Sequence, residues 1–281
     1  MKINAICVVK NEADVIKSTL LNAMKFCHRI YVFDNGSDDG TWEIIQLLDK
    51  HYEQIVIAQR SSEVFKNQLR NRVYNMFHHE YSADDWWYIL DADEMLTESP
   101  AAKLKQAARA GNNCMYAWFA QFYFTDKDML TYHSEDQSLP VMERRHYYRI
   151  NWREIRFFKN DPEQVWPETV SGRIPYFMNK MHSDAPILRH YAERTPEQIK
   201  QRVNVRKNNP YSFLHVRNKK PNHQWVKQAD TLFYYNNDGK FQFPLADRIK
   251  FHLREAKFWC QWRWKSVAAL PQKLCKLMAK A

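Results

Sequence analysis

Apolar positions in the first 96 residues fall into runs of two kinds that take turns. The stretch "INAICVV" is continuously apolar, as a strand buried on both faces requires. "EADVIKSTLLNAMKFC" follows with helical spacing, Val15, Leu20, Met24 and Cys27 lying near one side. "RIYVFD", "QIVIAQ" and "WWYIL" read as three further buried strands. "GTWEIIQLLDKH" and "VFKNQLRNRVYNMFHH" read as the helices between them. Strands and helices that alternate through short connections predict a parallel α/β sheet with helices on both faces.

After Leu96 the alternation stops. "SPAAKLKQAARA" predicts a helix with Ser99 as N-cap and Pro100 in the first turn. "NNCMYAWFAQFYF" reads as a strand of a mixed sheet, and "RRHYYRI" and "REIRFFK" as two more short strands. "TPEQIKQRVNVRK" opens a helix, with Thr195 as cap, Pro196 next and Gln198 in the capping-box position. The expected organisation is an α/β domain over 1–240, divided into 1–96 and 97–240, and a basic helical extension over 241–281.

Composition narrows the class. Apolar residues are 45% of the 281, charged residues 26%, and glycines only 5, which fits a packed core rather than a disordered chain. No run approaches the roughly 20 apolar residues of a membrane span. The five cysteines, Cys7, Cys27, Cys114, Cys260 and Cys275, are odd in number and show no CxxC spacing. They are expected as reduced thiols, and the protein as cytoplasmic. Net charge is 42 − 32 = +10, but residues 241–281 alone carry nine Lys/Arg against two Asp/Glu, so the body is nearly neutral.

Three segments carry chemistry. In "WWYILDADEML" an apolar strand ends in Asp91, Asp93 and Glu94. Strand side chains alternate, so Asp91 and Asp93 are expected on the same side, converging just past the strand's carboxyl end, where open α/β sheets bind ligands. Two carboxylates so close repel unless a cation lies between them, and hard oxygen ligands suit Mg²⁺ or Mn²⁺. The plain alternative is a solvated turn. "VVKNEADVI" places Asn11 and Glu12 in the turn after the first strand, where a nucleotide meets such a sheet or where Asn11 simply caps a helix. "VFDNGSDDGTW" puts Asp34 at the end of the second strand, able to accept hydrogen bonds from a base or ribose, with turn formers behind it.

Together "VVKNE", "DNGSDDGT" and "ILDADE", in this order over residues 3–96, resemble the family 2 glycosyltransferases and their relatives, bacterial surface-glycan and lipopolysaccharide core transferases among them. The resemblance implies the GT-A fold, a Rossmann-like mixed, mainly parallel sheet. It implies transfer of a sugar of the hexose type from a nucleoside diphosphate sugar, UDP-linked by preference, to an acceptor hydroxyl with inversion. By it, Asn11 and Glu12 lie at the nucleotide, Asp34 contacts the base, and Asp91 and Asp93 form the metal motif, Asp93 acting in catalysis. Arg70 and Asn71 match an Arg-Asn segment near the donor. "RFFKNDPEQVW" resembles a later strand and its Trp. "ILRHYAERTPEQIKQR" makes His190 a candidate third metal ligand, against a core or capping histidine. Relatives often carry a His-Glu pair after the Trp, whereas this chain reads "PETVSG". Glu168 is therefore favoured as the base, with Asp126, Asp128 and Asp136 behind it.

The segment 241–281 interleaves Lys and Arg with Phe258, Trp259, Trp262 and Trp264, and reads as a basic amphipathic helix. It is expected either to meet an anionic membrane surface at the inner face of the plasma membrane or to pack on the domain. A glycan or glycolipid acceptor fits the first. Nucleic-acid binding is disfavoured by the near-neutral body and the absence of RNP, KH or zinc signatures. A nucleotidyltransferase would need a Gly-rich phosphate loop that "VVKNEADV" lacks. A non-catalytic relative that binds sugar nucleotides is the remaining alternative.

Overall fold

The structure is a computed structural model and describes residues 1–169, 172–208 and 226–253. Trp259, Cys260, Trp262, Trp264, Cys275 and most of the basic extension lie outside the described residues.

The four apolar runs form β1 (Ile3–Val9), β2 (Arg29–Asp34), β3 (Ile55–Arg60) and β4 (Trp86–Ile89), joined by α1 (Ile16–Ala23), α2 (Thr41–His51) and α3 (Gln68–Phe77). The strands pair in parallel in the order β3-β2-β1-β4. Strand alternation decides what each face buries. Ala5, Cys7, Val9, Ile30, Val32, Trp86 and Tyr88 pack with Ile16 and Leu20 of α1 and Ile45 and Leu48 of α2. Ile6, Val8, Tyr31, Phe33, Trp87 and Ile89 pack with Leu69, Val73 and Tyr74 of α3 on the opposite face. With both faces covered, the strand positions are mostly apolar, with Asn4 the buried polar exception inside β1, which is why the runs are nearly continuous.

The sheet then grows largely by antiparallel addition. Its further elements are β5 (Glu94–Leu96), α4 (Ala101–Arg109), β6 (Cys114–Phe122), α5 (Asp126–Thr131), α6 (Val141–Arg144) and β7 (Tyr147–Lys159). Then come β8 (Met181–His182), β9 (Ile187–His190), α7 (Pro196–Asn208) and β10 (Phe233–Tyr234). The order is β3-β2-β1-β4-β7-β6-β9-β5, with β8 added on β6 and β10 on β7. This is the mixed α/β architecture, parallel at its nucleus, with helices on both faces.

Several boundaries differ from the sequence expectation. The two short strands predicted at 144–150 and 153–159 are one strand, β7, because register shifts against β6 carry the ladder past the polar Asn151. Helix α1 stops at Ala23, four residues short of Cys27, where Gln54 Nε2 donates to the carbonyls of Met24 and Cys27 and holds the chain in turns. Pro100 is the N-cap of α4 rather than its first helical residue. Thr195 caps α7 by accepting from Gln198 N at 3.2 Å, but Gln198 reaches back to the amide of Arg194, one residue earlier than a capping box would have it.

The chain divides into two units, 1–240 and 241–281. In the second, the described residues 245–253 are helical, and Leu245, Ile249 and Leu253 are exposed.

Asn160, at the end of β7, ties the first unit together. It accepts from Trp87 Nε1 at 2.8 Å and donates to the carbonyls of His78 and Tyr81 at 3.0 and 2.8 Å. Asn160→Ala leaves these buried groups unpaired, each costing about 1–3 kcal/mol. The variant is expected to lose about 2–4 kcal/mol of unfolding free energy with an unchanged m-value in urea denaturation.

Candidate active site

The turn after β4 is anchored before any ligand is considered. Leu90 donates to the carbonyl of Ile6, and Glu94 N donates to Asp91 O at 3.1 Å, closing Asp91–Glu94 into a tight turn. Thr19 of α1 donates its hydroxyl to Ala92 O at 2.6 Å. Tyr191 N donates to Asp93 O, and Glu94 pairs with His190 across the β5–β9 ladder.

This turn corrects the alternation argument. Strand β4 ends at Ile89, so Asp91 and Asp93 are not strand residues, and their side chains meet different neighbours. Asp91 accepts from Arg70 Nη2 at 2.6 Å and from Arg156 Nη2 at 2.9 Å, with Arg173 Nη1 at 3.6 Å. Asp93 accepts from Arg202 Nη1 at 2.7 Å and faces His190 Nε2 at 3.5 Å, with Arg194 Nη1 at 4.0 Å. Glu94, fully buried, pairs with Arg156. Three carboxylates in four residues are thus matched by five arginines and a histidine drawn from α3, β7, the 172–178 segment, β9, the residue chain after it and α7.

Charge compensation shows in the proton affinities. Burial pushes Asp91 upward, but the guanidinium groups of Arg156, Arg70 and Arg173 outweigh it and hold the carboxyl well below its ordinary range. Burial acts on Asp93 in the same direction, and His190 and Arg202 override it in the same way. Glu94 goes the other way. Burial lifts it well above the usual value, Arg156 opposes, and the charges of Asp91 and Asp93 add to the rise.

Asp93, Glu94 and His190 are all buried, and one ligand atom from each lies within 4.8 Å of the others. Glu94 Oε2 and His190 Nδ1 are buried with no hydrogen-bond partner among the described residues. Two carboxylate oxygens and an imidazole nitrogen form a donor set that fits a divalent cation, the His190 nitrogen nearest Asp93 being Nε2. Glu94, which sequence reasoning left without a role, thus stands with Asp93 and His190, while Asp91 faces arginines.

Beside this cluster lies a cavity of about 300 Å³, lined among others by Lys10, Asn11, Glu12, Phe65, Arg70, Asp91, Asp93, Arg173 and Arg202. Its first wall is the turn after β1. Asn11 adopts φ 54°, a left-handed conformation that Asn tolerates. There its amide donates to Ser37 Oγ, its side chain exchanges hydrogen bonds with Asp38, and Glu12 N donates to Thr41 Oγ1. Asp34 builds the same loop from below. Its Oδ1 accepts from Gly36 N and Ser37 N and meets Arg60, while its buried Oδ2 has no hydrogen-bond partner among the described residues.

The remaining sequence candidates lie elsewhere. Asp34 does not line the cavity, although the loop it holds adjoins Asn11. Asn71, one residue beyond Arg70, faces away and donates to Pro167 O at 2.8 Å. Glu168 pairs with Arg72 at 3.1 Å, outside the cavity wall. Asp126 and Asp128 serve the start of α5, and Asp136 accepts from Ser138. Sequence reasoning missed the roles of Arg156, Arg173, Arg194 and Arg202. Arg156, Arg194 and Arg202 stand in the segments of the resemblance, yet nothing local signals that they converge on one turn.

Glu12 pairs with Arg194. Burial, opposed by Arg194 and reinforced by Asp93, raises its carboxyl from 4.5 to about 7. Between those values the folded chain binds a proton that the unfolded chain has released, so this contribution to stability is complete below about 4.5 and lost by about 7. Glu12→Gln is expected to flatten the fall in unfolding free energy across that interval, read by denaturant titration at several pH values.

The comparisons with known proteins bear on this geometry. A family model, "Glycosyl transferase family 2", matches residues 5–178. No curated protein matches the chain in sequence. A solved mannosyltransferase from Pyrobaculum calidifontis, in complex with GDP-Man and Mn²⁺, is similar at 13% identity and a TM-score of 0.45, covering 78% of this chain and 65% of that one. A mannosyl-3-phosphoglycerate synthase from Rubrobacter xylanophilus is similar at 14% identity and a TM-score of 0.33, covering 43% of this chain and 41% of that one. The chain therefore spans less than two thirds of either.

Proposed function

Because this chain belongs to glycosyl transferase family 2, we propose that it is a divalent-cation-dependent enzyme, using Mn²⁺ or Mg²⁺, that moves a hexose-type sugar from a nucleoside diphosphate sugar to a glycan or glycolipid hydroxyl with inversion. A UDP-linked donor is the favoured one. The observation that carries this reading is the Asp93–Glu94–His190 cluster, with Glu94 Oε2 unpartnered among the described residues, beside a cavity walled by arginines and the Asn11–Glu12 turn.

Asp93, Glu94 and His190 would hold the cation, with Asp91 beside them. When bound, it supplies Lewis-acid stabilisation of the charge that grows on the departing diphosphate. The chain's own groups work toward the same end. Arg70, Arg173 and Arg202 line the cavity and present guanidinium donors that suit phosphate oxygens. They now neutralise Asp91 and Asp93, and an entering diphosphate offers them a second anionic partner. The Asn11 turn bounds the nucleotide side, and Asp34, whose Oδ2 is buried outside the cavity lining, would accept from base or ribose once the loop over it opens. Glu168 remains the proposed base for the acceptor's proton, and reaching that proton requires its loop to turn inward from the Arg72 ion pair.

The half over 97–240 would hold the acceptor. Among the described residues no helix is long and apolar enough to cross a membrane. The exposed Leu245, Ile249 and Leu253, with Arg248 and Lys250 among them, support a peripheral seat of 241–281 on an anionic membrane surface at the cytoplasmic face.

Calorimetry with a set of UDP-, GDP- and dTDP-sugars, with and without Mn²⁺, tests the reading. One donor is expected to bind only with the metal. Asp93→Ala is expected to weaken that binding by at least about 100-fold, and His190→Ala by roughly 10–100-fold. Equal affinity in the presence of a chelator would sink the metal-dependent mechanism.

A further inference from the structure

A second hollow, of about 260 Å³, is lined by Gln121, Tyr123, Asn151, Trp152 and Glu193. We propose that it seats a pyranose ring, the acceptor's terminal sugar. Naming the ring as acceptor rests on the glycosyltransferase reading, whereas binding of a pyranose rests on the hollow itself.

The lining has the two-sided chemistry that a sugar ring needs. A pyranose offers a face of C–H groups and a rim of hydroxyls. The first packs on an aromatic plate, and the second needs amides and carboxylates that donate and accept in pairs. Trp152 is 37% exposed, a large apolar surface left in water. It is nevertheless fixed, since Phe119 packs edge-on against it with centroids 5.0 Å apart at 70°. Tyr123 and Asn151 share a side-chain hydrogen bond. Burial, with Glu193 adding, raises the Tyr123 hydroxyl to about 12, so it keeps its proton as a donor. Glu193 Oε2 is buried and has no hydrogen-bond partner among the described residues. A hydroxyl satisfies that oxygen, whereas a phosphate or another anion would be repelled by it. The volume admits one ring, not an extended oligosaccharide.

Position argues the same way. Gln121 is paired with His190 in the β6–β9 ladder, and its Nε2 lies 3.5 Å from His190 O. Phe119 packs against Trp152 on one side and against the His190 ring on the other, the latter with centroids 5.3 Å apart. One phenylalanine thus separates the hollow from the cluster proposed to hold the cation. A sugar seated on Trp152 would have one buried ring, Phe119, between it and His190.

Saturation-transfer NMR on the full chain, without nucleotide or metal, tests this with the methyl α-pyranosides of glucose, galactose and mannose. At least one is expected to receive saturation through its ring C–H protons. Trp152→Ala and Glu193→Gln are each expected to weaken that binding by about tenfold. Calorimetry with UDP and Mn²⁺ on the same variants is expected to match the parent, which also reports an intact fold. If Trp152→Ala does not fold, Glu193→Gln, which keeps the shape, decides. No transfer to any pyranoside, or transfer unchanged in the variants, overturns the proposal. Pyranoside binding lost in the variants, in a chain that binds no nucleotide sugar, would keep the hollow and remove the transferase reading instead.

Discussion

Three carboxylates in four consecutive residues, Asp93 and Glu94 buried and Asp91 partly so, are the constraint around which the rest of this molecule is arranged. Removing an ion from water costs several kcal/mol even after relaxation, and Asp93 and Glu94 are almost wholly buried. Such a turn survives only if cations surround it. The chain collects them from far apart: Arg70 from α3, Arg156 from β7, Arg173 from the loop after it, Arg194 and Arg202 from the start and middle of the α7 region. The antiparallel additions to the sheet bring most of these groups to the exit of β4. The later half of the fold is thus, in large part, the means by which the turn is neutralised.

Neutralisation is uneven, and the unevenness is chemically useful. Arginines hold Asp91 ionised and His190 with Arg202 holds Asp93 so, while burial dominates at Glu94 and Glu12 and lifts both. A site in which some carboxylates are charged and others ready to lose a proton can take up a divalent ion without importing further negative groups. Of the arginines that line the cavity, Arg173 and Arg202 are partly exposed, whereas Arg70 is buried. A diphosphate would therefore enter a field already built for it, which is the preorganisation that makes electrostatic stabilisation effective.

Much of this was readable from the residues. The nucleus β3-β2-β1-β4 was legible because strands buried on both faces leave unbroken apolar runs, and "DNGSDDGT" announced its own turn. The carboxylates at the exit of β4 were visible for the same reason. What lay hidden was nonlocal. Alternation was extended one step too far into Asp91–Asp93, since the chain leaves the strand at Ile89 and turns. The partnership of Glu94 with His190 depends on β5 pairing with β9, a contact across nearly a hundred residues that no local pattern encodes. Strand β7 read as two pieces because polar positions interrupt it where its ladder shifts register. Asn151 and its apolar neighbour Trp152 line the second hollow.

The claim beneath all of this is that the buried carboxylates are a cation site held closed by arginines. Anomalous diffraction from crystals soaked in Mn²⁺ and a nucleoside diphosphate tests it most directly. The account predicts a single strong manganese peak bounded by Asp93, Glu94 and His190, with the Arg202 and Arg173 guanidinium groups turned from the aspartates to the phosphates. A peak elsewhere, or none beside a bound nucleotide with every arginine still on its carboxylate, would contradict it.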